Sequence, residues 1–198
     1  MRGRGGPRDR KSELRTAALK RRRSIGKAEL AELSSRVEAN LVALDEYRRA
    51  RLLISYCAKD DEVQTRPIIE RALAEGKRVA VVSTDVRTLR LGFSEIASFE
   101  DDLAPGAFGI LEPRRDRLRP VSIAEADLVL VPLVAWDERG HRLGYGAGYF
   151  DRALAGTDVL KVGLALESQR LPDVPESRHD VPLDVIVTDR RVVRPPRG

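Results

Sequence analysis

Short apolar runs alternate along the chain with segments whose apolar residues recur at helical spacing. The most continuous run, Leu128 to Val134, has the length of a strand and no polar alternation, which is typical of a strand buried on both faces of a parallel sheet. Predicted strands cover residues 51–57, 78–82, 127–132, 159–166 and 185–188. An edge strand or hairpin arm is expected over residues 88–93, and residues 98–120 are expected to be rich in loops.

The helices are predicted from apolar spacing and from their end signals. Residues 12–23 and 27–47 are expected to form two helices separated near Gly26, and the second contains a strong core-facing stripe. The stripe consists of Leu30, Leu33, Val37, Leu41 and Leu44. A further helix over residues 65–75 is expected to end at Gly76, because glycine commonly terminates helices. A short helix is predicted over residues 149–154.

Strands alternating with helices predict an α/β fold with a mostly parallel sheet and helices on both faces. No repeat or low-complexity linker divides the sequence. We therefore expect a disordered basic leader over residues 1–9 and one catalytic domain over residues 10–198.

Composition restricts the class of protein. The 198 residues are 42% hydrophobic without a long apolar segment, and Cys57 is the one cysteine, which excludes an internal disulfide framework and a cysteine metal cluster. The basic N-terminus has no apolar segment typical of a secretory signal, so a cytoplasmic protein is expected. A membrane partner is not expected.

Positive charge is concentrated at the N-terminus. Residues 1–23 contain ten basic and two acidic side chains, a net charge of +8, so the whole-chain value of +5 leaves −3 for the remainder. The segment could be a solvated helix, could reach a polyanionic ligand, or could bind nucleic acid. Nucleic acid is disfavoured because the segment contains no aromatic residue to stack on bases.

A glycine-rich loop follows the most apolar strand. Gly144, Gly146 and Gly148 precede the short helix, an arrangement that can bind an anion at the helix N-terminus. Tyr149 stands where the dinucleotide-binding fingerprint has its third glycine. The Gly-Lys-Ser/Thr sequence that ends a Walker phosphate-binding loop is also absent. Asp151 in the first helical turn could simply complement the helix dipole, or could hold magnesium beside a phosphate.

The segment from Arg142 to Asp151 resembles the signature of the 5-formyltetrahydrofolate cyclo-ligase family, also called 5,10-methenyltetrahydrofolate synthetases. Four other blocks resemble the family in the same order. They are Lys11–Arg15, Ser55–Tyr56 with Asp61–Thr65, Phe108–Pro113, and His179–Asp180 with Asp184–Thr188. Phe150 and Ser83 depart from the family pattern, where a tyrosine and a proline are frequent.

The resemblance implies a three-layer α/β/α domain and an activity in folate one-carbon metabolism. By this resemblance, ATP is expected to phosphorylate the formyl oxygen of 5-formyltetrahydrofolate, and ring closure to give 5,10-methenyltetrahydrofolate, ADP and phosphate. The implied cofactor is Mg²⁺, and the folate could carry a polyglutamate tail. Arg142 and Asp151 are the implied catalytic residues.

The resemblance also implies the binding residues. The nucleotide contacts are Lys11, Arg15, Arg142, Leu143, Gly144, Tyr145, Gly146, Ala147, Gly148, Tyr149 and Phe150. Cys57, Glu62 and Tyr149 are expected to line the folate pocket, and Asp151 and Asp180 to bind magnesium.

Other interpretations remain open at the level of sequence. A sugar-phosphate isomerase or an acyl-transferase relative could bind phosphate at the same loop. Taken alone, Glu62 suits a solvated loop, and Asp180 suits a turn. Cys57 is expected to be a small buried residue rather than a nucleophile, and His179 an exposed loop residue.

Overall fold

The computed structural model of the protein describes residues 7–196. The α-helices are α1 (Pro7–Arg23), α2 (Lys27–Val42), α3 (Asp45–Arg49), α4 (Arg66–Ala74), α5 (Phe99–Asp102) and α6 (Tyr149–Leu154). The strands are β1 (Leu52–Ser55), β2 (Arg78–Asp85), β3 (Arg90–Ile96), β4 (Leu103–Pro105), β5 (Leu111–Pro113), β6 (Leu128–Val131), β7 (Ala135–Trp136), β8 (Arg142–Leu143), β9 (Leu160–Leu164), β10 (Val185–Val187) and β11 (Val192–Val193). No described helix is long and apolar enough to cross a bilayer.

Within the described residues, seven strands form the main sheet in the order β11-β10-β9-β6-β1-β2-β3. The five inner strands are parallel, and β3 and β11 pair antiparallel at the two edges. This arrangement confirms the predicted α/β class with a mostly parallel sheet. The segment expected as an edge strand or hairpin arm is β3, which extends the β2 hairpin at one edge.

The inner strands are covered on both faces. All four residues of β1 and all four of β6 are buried. Because successive strand side chains point to opposite faces, this burial requires packing on each side of the sheet. Helix α2 contacts β10 and α4 contacts β2, and both helices contribute buried side chains to the main core. The continuous apolar runs of the sequence follow from this two-sided burial.

Two helices differ from their predicted bounds. The expected helix over residues 27–47 is broken at Leu44, whose backbone is extended, and α3 then starts at Asp45. The break lets both Leu44 and Tyr47 reach the core, and Asp45 and Glu46 complement the new helix N-terminus. Helix α1 already includes residues 7–9 of the expected leader. Residues 1–6 of that leader lie outside the described residues.

The segment between β6 and the glycines is more ordered than the loop expected from sequence. Strands β7 and β8 pair antiparallel, and Trp136 is fully buried with its indole N–H donating to the Leu166 carbonyl at 3.2 Å. The buried Asp137 carboxylate accepts from the Val174 backbone N–H at 3.0 Å. This hairpin fixes Arg142 and Leu143 at the start of the glycine-rich segment.

Helix α4 ends as predicted. Gly76 has a φ of +76°, and the N–H groups of Gly76 and Lys77 donate to the carbonyls of Leu73 and Ala72, both at 3.0 Å. These two bonds form a Schellman motif, which favours glycine because a Cβ is strained at positive φ.

We predict that Gly76→Ala lowers the free energy of unfolding by about 1 kcal/mol, since alanine must adopt the left-handed region. Gly76→Asn should lose less, because asparagine tolerates this region better. Urea denaturation of the three proteins measures the difference. Equal stability of the alanine and wild-type proteins would contradict the assignment of strain to this position.

Candidate functional site

A cleft of about 830 Å³ opens where the parallel strands end. Tyr56 and Cys57, which follow β1, line it together with Pro132, which follows β6. Ligands in open α/β sheets bind beyond the carboxyl ends of strands, so the topology itself favours this position. Every residue that the sequence analysis placed in a site lines this cleft. These residues are Lys11, Arg15, Cys57, Glu62, Arg142, Leu143, Gly144, Tyr145, Gly146, Ala147, Gly148, Tyr149, Phe150, Asp151 and Asp180.

The glycine loop, residues 144–148, is shaped by two positive φ angles. Gly146 has a φ of +106° and Gly148 a φ of +68°. A Cβ at Gly146 would lie 3.4 Å from the Arg15 guanidinium carbon, and one at Gly148 would lie 3.2 Å from Arg152 Nη1. The glycines therefore permit both the backbone conformation and the close approach of two arginines to the loop.

One face of α1 supplies cations to the cleft. Arg15 Nε donates to the Gly144 carbonyl at 2.7 Å, and Lys11 Nζ bonds to the Asp180 carboxylate and to Ser177 Oγ. Because residues four apart share a helix face, Lys11 and Arg15 point the same way, as the sequence spacing predicts. The basic residues of this face are therefore packed against the glycine loop and the loop that carries Asp180.

Arg142 and Asp151 form a pair at the edge of the cleft. Arg142 is buried, and its Nη2 lies 2.8 Å from Asp151 Oδ1, while its Nη1 donates to the Val181 carbonyl. Burial lowers the pKa of the Arg142 guanidinium, against the opposing effect of Asp151 and Asp180. The Val181 N–H also donates to Asp151 Oδ1, at 3.1 Å. Arg142 thus fixes the orientation of the Asp151 carboxylate.

Glu62 is buried, contrary to the solvated loop acid that its local sequence suggests. Its Oε2 accepts from the Lys59 backbone N–H at 2.8 Å, and its Oε1 accepts from the Tyr145 hydroxyl at 2.8 Å. Arg22 lies beside it, with Nη1 at 3.9 Å from Oε1. A buried carboxylate of this kind requires partners of opposite charge, and helix α1 provides one.

The sequence analysis missed Arg22 as a site residue. The residue is 3% exposed, and its guanidinium contacts the Leu133 carbonyl, Asp61 at 3.0 Å, and the Tyr145 hydroxyl at 2.6 Å. Burial disfavours its charge, but Tyr145 and the two acids outweigh this effect and raise the pKa of the guanidinium. One signal in the sequence could have identified it. Lys11, Arg15, Ala18 and Arg22 recur at intervals of four, three and four along one helix face.

Tyr145 belongs to the glycine loop, but its hydroxyl reaches the buried Glu62. Burial and the nearby Glu62 raise the pKa of its hydroxyl, which is therefore protonated and donates to the carboxylate. The residue remains 41% exposed, and Lys59 Nζ lies 4.2 Å from its ring centroid. Tyr145 thus connects the glycine loop to Glu62.

Cys57 and His179 have the surroundings that the sequence predicts. Burial raises the pKa of the Cys57 thiol to about 12, with a smaller contribution from Glu112, so the reactive thiolate is not formed at neutral pH. His179 is exposed on its loop. The Cys57 side chain therefore lacks the environment of a nucleophile.

Within residues 7–196, no three His, Cys, Asp or Glu side chains come together as a ready metal site. Asp151 and Asp180 both line the cleft, and the hydrogen bonds described for each fall on a single carboxylate oxygen. Magnesium commonly takes one or two protein carboxylates together with water and phosphate oxygens. The chemistry of this pair fits such an ion.

Comparison with known proteins identifies relatives over nearly the whole chain. The sequence model of the 5-formyltetrahydrofolate cyclo-ligase family matches residues 7–189. A 5-formyltetrahydrofolate cyclo-ligase of Haemophilus influenzae is 28% identical over 181 residues, which cover 89% of this chain and 97% of the relative. One from Mycolicibacterium smegmatis is 30% identical, covering 91% of this chain and 94% of the relative.

Solved structures give the same result. The 5,10-methenyltetrahydrofolate synthetase of Aquifex aeolicus, determined by NMR, superposes with a TM-score of 0.83 at 35% identity. The superposition covers 95% of this chain and 94% of that one. Since sequence and architecture match over nearly the full length of both proteins, the similarity extends beyond a shared scaffold.

We predict that Arg22→Met lowers the free energy of unfolding by about 3 kcal/mol, because it leaves the buried Glu62 carboxylate without its cation. Adding Glu62→Gln should recover part of the loss, since the second change removes the unpaired charge. Arg23→Met is the matched control, because its side chain is 70% exposed. Chemical denaturation measures all four proteins. A loss no larger than that of the control would show that Arg22 and Glu62 are not coupled.

Proposed function

The chain belongs to the 5-formyltetrahydrofolate cyclo-ligase family, and we propose that it uses ATP to convert 5-formyltetrahydrofolate to 5,10-methenyltetrahydrofolate, ADP and phosphate. One observation carries the proposal at the level of the site. A single cleft is lined both by a buried carboxylate, Glu62, and by a loop surrounded by cations, Lys11, Arg15 and Arg152. The carboxylate suits a heterocycle with adjacent N–H donors, and the loop with its cations suits a polyphosphate.

The chemistry explains why one cleft must hold both substrates. Amide resonance makes the formyl oxygen a poor leaving group, so the neighbouring 10-nitrogen does not displace it unaided. Transfer of the γ-phosphoryl group to that oxygen gives an iminium phosphate. Attack by the 10-nitrogen then closes the ring and expels phosphate, and the proton of that nitrogen leaves with the phosphate or to solvent. The protein has to place the two substrates in contact and to neutralise charge, which is the usual contribution of phosphoryl-transfer enzymes.

The nucleotide is assigned to the glycine loop and α1. Residues 142–150, with Lys11 and Arg15, provide the nucleotide contacts in this proposal. Arg15 bonds to the Gly144 carbonyl, and Arg152 Nη2 donates to the Ala147 carbonyl at 2.7 Å, so two guanidinium groups lie against the loop. Because these cations already have fixed positions, they can stabilise a polyphosphate with little further loss of side-chain entropy on binding. We assign Arg142 mainly to the orientation of Asp151.

Asp151 and Asp180 would hold Mg²⁺ in this proposal. When bound, the ion supplies positive charge to the phosphate oxygens of ATP. Asp151 is oriented by Arg142, and Asp180 by Lys11 and the Ser177 N–H at 2.8 Å. Each aspartate is thereby fixed through one oxygen, which supports a role in metal binding.

The folate is assigned to the part of the cleft lined by Cys57, Glu62 and Tyr149. A carboxylate recognises the 2-amino group and a ring N–H of the pterin side by side. The protonated Cys57 thiol adds a small, weakly polar surface to this pocket, and Tyr149 adds a half-buried aromatic ring. No histidine takes part, since the reaction requires no general base in its committed step.

The test of the function is optical. The methenyl product has a conjugated amidine that the formyl substrate lacks, so its absorbance reports turnover directly. Purified protein mixed with ATP, Mg²⁺ and 5-formyltetrahydrofolate should develop this absorbance, and release of ADP should match it in amount. Mixtures without ATP are the control. Absence of product under any divalent metal would contradict the proposal, and ADP release that does not depend on folate would favour a different phosphate-binding enzyme.

We predict that Glu62→Gln raises the KM for the folate by about ten- to a hundredfold, because an amide cannot accept two N–H donors as a charged carboxylate does. The amide oxygen can still accept from Tyr145, so the affinity for ATP should change little. Steady-state kinetics with each substrate varied in turn separates the two. A selective loss of ATP affinity would place Glu62 outside the folate pocket.

We predict that replacing Lys11 and Arg15 together by alanine weakens ATP binding by at least about a hundredfold, because two charge-assisted contacts to the polyphosphate are lost. Lys20 and Arg21, both exposed on α1, provide a double-alanine control with the same change of charge. Isothermal titration calorimetry measures the affinity in both variants. Equal affinities would remove Lys11 and Arg15 from the nucleotide site.

A further inference from the structure

The two substrate regions of the cleft are joined by one side chain. Tyr145 lies in the glycine loop, between Gly144 and Gly146, and its hydroxyl donates to Glu62 Oε1 at 2.8 Å. The same hydroxyl accepts from Arg22 Nη2 at 2.6 Å. A residue of the proposed nucleotide loop is therefore bonded to the proposed folate carboxylate.

Both oxygens of Glu62 have partners in the structure. Oε2 accepts from the Lys59 backbone N–H, and Oε1 accepts from the Tyr145 hydroxyl. The Lys59 donor belongs to the backbone of the turn that carries Glu62, whereas the Tyr145 donor is on a side chain that can rotate. Tyr145 is therefore the partner that can give way when a ligand presents its own N–H donors to the carboxylate.

Arg22 has partners other than Tyr145. Its guanidinium contacts Asp61 at 3.0 Å and the Leu133 carbonyl at 3.3 Å, and it stays 3.9 Å from Glu62. The carboxylate consequently stays paired with a fixed cation when the hydroxyl leaves. Exchanging one hydrogen-bond donor for another at Oε1 therefore costs less free energy than leaving the buried carboxylate without any partner.

We propose that the Tyr145 hydroxyl holds the position of a folate donor on Glu62 before folate binds, and that folate binding releases Tyr145 and with it the glycine loop. The inference rests on the proposed function, because it uses Glu62 as the folate carboxylate. Tyr145 is then a positioning residue that couples the two substrates, and Arg22 is the positioning residue for both Tyr145 and Glu62.

Coupling between the two substrates follows from this exchange. Release of the Tyr145 hydroxyl removes the bond that ties the glycine loop to Glu62, and Gly146, with its φ of +106°, lets the loop backbone adjust more readily than another residue would. Folate binding must then change the affinity for ATP, and ATP must change the affinity for folate by the same factor.

The experiment measures the dissociation constant of 5-formyltetrahydrofolate by calorimetry, alone and in the presence of a non-hydrolysable ATP analogue with Mg²⁺. The two constants of the wild-type protein should differ by at least about threefold. Tyr145→Phe keeps the ring and removes the hydroxyl. It should bind folate alone about three- to tenfold more tightly, since no internal hydrogen bond has to be broken, and its two constants should become equal.

Tyr47→Phe is the matched control, because it removes a tyrosine hydroxyl from the core, at a residue that does not line the cleft. It should retain the wild-type ratio of the two constants. The inference is overturned by equal constants in the wild-type protein, by unchanged or weaker folate binding in Tyr145→Phe, or by an unchanged ratio in that variant. Failure of the wild-type protein to bind 5-formyltetrahydrofolate at all would instead contradict the proposed function.

Discussion

The cleft depends on charged contacts that attach α1 to the rest of the domain. Ala18 is the buried apolar residue on the α1 face that also carries Lys11, Arg15 and Arg22, and those three residues form the polar contacts with the cleft. Burying a charge is costly unless a partner is fixed nearby, so each cation is held in one place. The same requirement organises the site, because Lys11 and Arg15 line the cleft themselves and Arg22 contacts Tyr145 and Glu62, which line it.

The parts of the fold that follow from local pattern could be predicted from the sequence. Two-sided burial leaves a continuous apolar run, so the inner strands were identified, and Gly76 marked the end of α4 because its position needs a positive φ. The break at Leu44 could not be predicted, since its spacing continues the stripe of α2. There the packing of Tyr47 in the core overrides the helical periodicity.

Local pattern could group residues of the cleft that are adjacent in sequence, but it could not predict contacts between distant ones. The glycines and Asp151 form one segment, whereas the network of Arg22, Tyr145 and Glu62 joins residues separated by 123 and 83 positions. No local pattern distinguishes Glu62 from a solvated loop acid, and only its burial beneath the α1 cation does so. The family resemblance identified Glu62, but it gave no indication of Arg22.

The docking of α1 has a consequence for the biogenesis of the protein. Arg15 bonds to a residue 129 positions away and Lys11 to one 169 positions away. A chain emerging N-terminus first therefore presents its most basic helix long before the carboxylate and carbonyl that accept it have been synthesised. During this interval the helix has little apolar surface to attract other chains. Its charged composition thus suits a segment that is synthesised well before the residues that it contacts.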